Sequence, residues 1–277
     1  MNTLALSVLP CLIWLLWFWF QDWYDREPLK TVFLTFLLGA FATLGALIFN
    51  SVGIIFLTGL FGQNLFSEVL TLFLVVGPVE EAVKMWAVLA YAYKRPEFNE
   101  PVDGVVYSAS AALGFAAAEN LIYLSRFGSG IFIVRGILSN PGHALFAAFW
   151  GLALSRAKVL PNIGSKRAIT IASGWLAAAA IHALFDVILS AGQYHVLPNV
   201  AVGVTMILLM IAVFAYVEFM TVRHVVRSPH RRDTMLLSSA AYCLDCGQMG
   251  IGGSDCPACG AKILEQQQPR NCPSCGK

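Results

Sequence analysis

Charge is what this sequence has least of. Asp, Glu, Lys and Arg together supply 12% of its 277 residues, roughly half the share found in a soluble domain. That shortage excludes an ordinary soluble enzyme and a disordered chain. The formal net charge is +2, so no basic surface for nucleic acid is expected either. Cysteine is nearly missing before Tyr242, where only Cys11 occurs. A disulfide framework for the main part of the chain is thereby excluded. No G-x-S-x-G, no H-E-x-x-H and no phosphate-cradling loop occurs, which removes the common serine-hydrolase, zincin and nucleotide-binding patterns.

Long apolar runs take the place of charge. Mean hydropathy is +0.70, and about 20 apolar residues suffice to cross the hydrocarbon core. Seven runs qualify: 4–20, 29–50, 67–93, 104–124, 131–155, 168–190 and 196–222. The expected fold is therefore an all-α, polytopic transmembrane bundle. The segment Val52–Phe61 is too short to cross alone; it can extend the second run, lie at the interface or re-enter the bilayer. The first run has no Lys or Arg before it and ends in Trp17, Trp19 and Trp23, so it reads as a retained span rather than a cleaved signal peptide.

Basic residues fall in alternate connections: Arg26 and Lys30; Lys94 and Arg95; Arg156, Lys158, Lys166 and Arg167; then Arg223, Arg227, Arg231 and Arg232. The positive-inside rule turns this alternation into an orientation, N-terminus outside and C-terminus cytoplasmic, in the plasma membrane. Residues 1–222 form the transmembrane domain, 223–241 a basic linker and 242–277 a small Cys-, Gly- and Pro-rich module.

Seven ionisable side chains lie deep in these runs: Glu80, Glu81, Lys84, Glu119, His143, His182 and Asp186. Unpartnered, they would cost on the order of 15–20 kcal/mol, so a shared polar site is expected. Gly77-Pro78 should open the third run just before Glu80 and Glu81. Glu80 and Lys84 are four apart, so Lys84 is expected to hold Glu80 ionised, while Glu81 points elsewhere. Glu119 and Asn120 sit among small residues that allow close helix approach. Arg135 precedes Asn140-Pro141-Gly142, which should kink the fifth run in front of His143. His182 and Asp186 share one helix face, the spacing at which two side chains bind one metal or a carboxylate orients an imidazole. Taken singly, each group can also be a packing ion pair or an interhelical staple.

Depth favours a single site. Counted at 1.5 Å per residue, Glu80 lies roughly 20 Å from the outer end of its run, and the others fall in the outer half to the middle of theirs. Glutamates and histidines gathered there can activate water: a desolvated carboxylate is a stronger base, and an imidazole can bind a metal or donate to an oxyanion. The catalytic set is therefore Glu80, Glu81, Glu119, His143, His182 and Asp186, with Lys84, Asn120 and Arg135 in support. A proton- or cation-coupled transporter and an inactive scaffold are the competing readings, although no internal repeat of the transporter kind is evident.

These motifs carry a resemblance. Pro78-Val-Glu80-Glu81-Ala-Val-Lys84, Phe115-x-x-x-Glu119-Asn120, Arg135 with His143, and His182-x-x-x-Asp186 resemble, in order, the motifs of the PrsW family of intramembrane proteases, relatives of the CAAX prenyl endopeptidases and the bacteriocin-processing enzymes. The resemblance covers about residues 1–222. It implies a multi-span helical endopeptidase acting on a single-span membrane protein, such as an anti-sigma factor, cut on its extracytoplasmic side. In the prenyl endopeptidases His stands where Glu119 is here. A metal, zinc foremost, held by His143, His182 and Asp186, or with Glu119 supplying the carboxylate, and a metal-free glutamate mechanism therefore both stay open.

Cys243-x-x-Cys246 and Cys256-x-x-Cys259 have zinc-ribbon spacing, and a structural zinc is expected there. Cys272 and Cys275 form a third pair, able to replace one of the first two or to complete a second site. A cytoplasmic protein partner for this module is expected; its role is otherwise open.

Overall fold

The computed structural model describes residues 2–159 and 166–226 of the chain. The cysteine pairs from Cys243 to Cys275, and the zinc ribbon expected of them, lie outside the described residues, as does most of the expected linker.

The described residues form helices and no strands. In chain order they are α1 (Thr3–Gln21), α2 (Leu29–Phe61), α3 (Leu65–Thr71), α4 (Gly77–Ala90), α5 (Pro101–Phe127), α6 (Phe132–Val134), α7 (Asn140–Val159), α8 (Arg167–Gln193) and α9 (Asn199–Val225). Among the described residues, six continuous helical segments are long and apolar enough to cross a membrane. The third run, 67–93, is a composite, α3 and α4 joined by a π-helical turn at Leu72–Val76. The segment Val52–Phe61 belongs to α2, a single helix of 33 residues. Large apolar side chains such as Ile13, Phe41, Ile55 and Ile211 are more than half exposed. Water would penalise that surface; lipid does not.

α5 is the hub. It packs against α1, α2 and α7, and its Ala-, Gly- and Ser-rich sequence is buried from Val102 to Ala117. Small residues let backbones approach, the packing device of membrane helices. Gly104 faces the Gly151 carbonyl of α7, and Gly114 faces the Phe36 carbonyl of α2, so closely that a methyl group at either would collide with backbone. Pro101 at the first turn and the reciprocal capping of Glu100 and Asp103 start α5; Gly128, at φ 80°, ends it.

The two proline positions differ from expectation in an instructive way. Gly77-Pro78 does not open its helix, and Pro141 does not simply kink its own. Each is preceded by a π-turn, at 72–76 and at Arg135–Ser139. Proline lacks an N–H and its ring crowds the carbonyl four residues back. Widening the preceding turn relieves the crowding and keeps the helix continuous. The carbonyl of Gly136, left without a helical donor, accepts a hydrogen bond from the Trp14 indole of α1 at 2.9 Å.

Candidate active site

Glu80 and His143 each stand four residues after a π-turn, and the other ionisable residues come from α4, α5 and α8. α4 carries Glu80, Glu81 and Lys84; α5 carries Glu119 and Asn120; α7 carries His143; α8 carries His182 and Asp186. The four helices bring these side chains to one place. Glu81, Lys84, His143 and His182 are buried, and Glu80 is 6% exposed.

Glu81 is saturated. Its Oε1 lies 2.9 Å from Lys84 Nζ and 2.9 Å from His182 Nδ1. Its Oε2 accepts from the Trp150 indole at 2.9 Å. Three donors to one fully buried carboxylate offset its desolvation. Lys84 therefore pairs first with Glu81, three residues away, and only at 3.6 Å with Glu80, the partner expected from the sequence. Spacings of three and four both share a helix face, and Glu81 wins because Trp150 and His182 hold its carboxylate in place. The Lys84 ammonium also lies 3.1 Å from His143 Nδ1 and 4.4 Å from the centre of the Phe115 ring.

Glu80 is the opposite case. Asn50 of α2 donates to Oε1 at 3.3 Å, while Oε2 is buried without a hydrogen-bond partner. That oxygen lies 3.7 Å from His182 Nε2, and Asp186 Oδ2 lies 3.6 Å from the same nitrogen. With Nδ1 donating to Glu81, Nε2 of a neutral His182 carries its lone pair toward Glu80 and Asp186. The Asp186 side chain is a quarter exposed, the most open of the group.

A second layer holds His143. Its Nε2 lies 3.0 Å from Glu119 Oε2, which also pairs with Arg135 Nη2 at 2.7 Å. Arg135 Nε donates to Asn120 Oδ1, and Asn120 Nδ2 donates to Asn140 Oδ1 at 3.0 Å. Arg135 reaches this network from the second π-turn, lying over the Tyr123 ring at 4.2 Å.

Glu80, His143 and His182 each offer one ligand atom within 4.8 Å of the others. Two imidazoles and a carboxylate suit a divalent metal with an open position. The metal-ligand trio expected from the sequence had Asp186 in place of Glu80. Sequence reasoning passed over Asn50, Trp150 and Asn140. Trp150 stands seven residues after His143, hence on the same face of α7, a signal that could have found it. Asn50 is the one asparagine in the second apolar run, and such a residue asks for a partner.

A membrane-spanning bundle that buries acid, base and imidazole together has the makings of an intramembrane hydrolase. The chain belongs to the PrsW family of intramembrane metalloproteases, whose family model matches residues 27–217. It is 34% identical over 192 residues to Protease PrsW of Geobacillus kaustophilus, covering 69% of this chain and 81% of the relative. It is 34% identical over 198 residues to Protease PrsW of Clostridioides difficile, covering 68% and 79%. To Protease PrsW of Bacillus subtilis it is 29% identical over 201 residues, covering 70% and 87%. No solved structure matches the chain. The protein is an intramembrane protease, a peptide hydrolase, and the transporter and scaffold readings are set aside.

Proposed function

We propose that the protein hydrolyses a peptide bond in a single-span membrane protein at the centre formed by Glu80, His143, His182 and Asp186. The observation that carries this reading is the uncommitted Glu80 Oε2, buried and facing His182 Nε2 at 3.7 Å. A buried carboxylate oxygen with no hydrogen bond, and only the Lys84 ammonium at 3.6 Å, is costly, which fits a group waiting for water, substrate or metal.

Glu80, His143 and His182 would hold the divalent metal, and their donor chemistry fits zinc. Once bound, such an ion supplies an acidic water and polarises the scissile carbonyl. The remaining work falls to the chain. Glu81 accepts the Nδ1 proton of His182 and so presents Nε2 inward. Lys84 and Trp150 keep Glu81 in place. Glu119 and Arg135 position His143. Asp186, a quarter exposed and with no hydrogen bond among the described residues, receives the proton of the attacking water and returns it to the leaving amine.

A second reading has its own observation. Lys84 Nζ already places a cation among Glu80, Glu81 and His143, at 3.6, 2.9 and 3.1 Å. Both His143 nitrogens are engaged, so ligation there displaces Lys84 or Glu119. Without metal, Glu80 takes the proton from water directly and an imidazole stabilises the oxyanion.

The basic connections support an orientation with the N-terminus outside, the C-terminus cytoplasmic and the centre open to the extracytoplasmic side of the plasma membrane. An anti-sigma-factor-like regulator suits such a site as substrate. Zinc on the C-terminal cysteines and a cytoplasmic partner for that module complete the proposal. The test reconstitutes the full-length protein with single-span membrane proteins, identifies released fragments by mass spectrometry and measures bound metal in wild type and His182→Ala. Loss of one metal equivalent together with cleavage is expected. Lost cleavage with unchanged metal content selects the glutamate mechanism, and cleavage unimpaired in Glu80→Gln overturns both.

A further inference from the structure

A second group of buried acids lies far from the first. Asp103 precedes Glu119 by sixteen positions on α5, about 24 Å along the axis. There Asp22 and Glu27, from the connection between α1 and α2, meet Asp103, each offering a carboxylate oxygen within 4.8 Å of the others. All three residues are at most 3% exposed.

Most of their partners are neutral donors. The Tyr107 hydroxyl donates to Glu27 Oε2. The backbone N–H groups of Asn99 and Glu100 donate to Asp103 Oδ2, both at 2.6 Å. Asp25 N–H reaches Asp22 Oδ1 at 3.4 Å. Asp22 Oδ2 is buried with no hydrogen-bond partner. No ion pair among the described residues neutralises any of the three acids. Lys158 donates instead to the carbonyls of Tyr93 and Arg95, at 2.6 and 2.9 Å. Glu100, itself buried, and Asp25 add further negative charge beside Asp22. Burial pushes the Asp22 carboxyl up to about 7 and Glu27 well above the usual carboxylate range. Ionised, the three acids would be a buried cluster of negative charge, with one oxygen left open and no cation among the described residues to balance it.

We propose that Asp22, Glu27 and Asp103 form a second cation site, for a hard divalent ion of the Mg2+, Ca2+ and Mn2+ class. The donors are all oxygen, and carboxylate with carbonyl or water suits these ions, whereas zinc prefers nitrogen and sulfur. Trp23 to Arg26, between Asp22 and Glu27 in the chain, are exposed. The ion ties the α1–α2 connection to the first turn of α5, the helix that also carries Glu119. Its role is to fix that hub, at a distance from the chemistry.

The test uses the full-length protein in detergent and Mn2+ as probe, followed by electron paramagnetic resonance and by thermal unfolding. Thiolates bind Mn2+ poorly, so the C-terminal cysteines do not interfere. His182→Ala should still bind one Mn2+, displaceable by Mg2+ or Ca2+. Asp22→Asn and Glu27→Gln should each weaken that binding tenfold or more and abolish the cation-induced rise in Tm. Unfolding without cation confirms that each variant is folded, and Glu27→Gln retains an oxygen for Tyr107. Equal Mn2+ binding in wild type and Asp22→Asn overturns the site. So does a wild-type Tm that none of the three ions raises; the acids then share protons.

Discussion

His182 Nδ1 lies 2.9 Å from Glu81 Oε1, and that contact decides which imidazole nitrogen faces Glu80. The adjacent glutamates of α4 thus divide the labour: Glu81 orients and Glu80 faces the reaction space. Glu80→Gln should lower cleavage by about 10²–10⁴-fold while leaving the protein folded. Rates near wild type in a liposome assay would remove Glu80 from the chemistry.

Glu81→Gln should behave differently. It strips the closest anion from a fully buried Lys84, and breaking a buried pair costs about 3–5 kcal/mol. Lower thermal stability is therefore expected along with lost activity, whereas Glu80→Gln should hold its Tm. Identical melting curves for the two variants would contradict the division.

Trp150→Phe deletes one donor to Glu81 and keeps an aromatic ring in most of the buried space. A hydrogen bond to a charged group is worth about 1.5–3 kcal/mol. Roughly a tenfold fall in kcat with a modest loss of Tm is expected, both read on the purified protein.

Asp186→Asn tests proton transfer at the rim of the site. The residue is partly exposed and pairs only with His182 at 3.6 Å, so folding should be unaffected. Cleavage should fall by about 10²-fold or more, with bound metal unchanged. If metal is lost with Asp186, the aspartate is a ligand, as the His182–Asp186 spacing first implied.

Chelation supplies the fifth prediction. Dialysis against a strong chelator should abolish cleavage, and Zn2+ should restore it. Activity that survives removal of all metal would leave the Lys84-centred, metal-free reading.

The sequence disclosed the spans because hydrocarbon thickness imposes their length, and it disclosed the ionisable residues because their cost inside lipid makes each conspicuous. It hid what depends on one residue of helical register. Composition gives no sign that Pro78 and Pro141 are absorbed by π-turns, nor that Lys84 turns to Glu81 rather than Glu80. Val52–Phe61 was ambiguous because length alone cannot separate the end of a long helix from an interfacial segment. Asp22, Glu27 and Asp103 escaped notice for another reason. Acids at span ends read as solvated surface charge, and only the fold brings the first connection against the start of α5.

The π-turns at 72–76 and 135–139 have a consequence for chain length. A π-turn is a one-residue insertion carried within a helix. Removing one residue there would let the turn close to α geometry while the flanking helices kept nearly their former faces, with the proline crowding as the cost. Removing one residue after Pro78 or Pro141 would instead swing the following side chains by about 100° around the helix. Glu81 would then part from Trp150, and His143 from Glu119. The spacing from each proline to its ionisable residue is therefore as much a constraint on this centre as the identities of the residues.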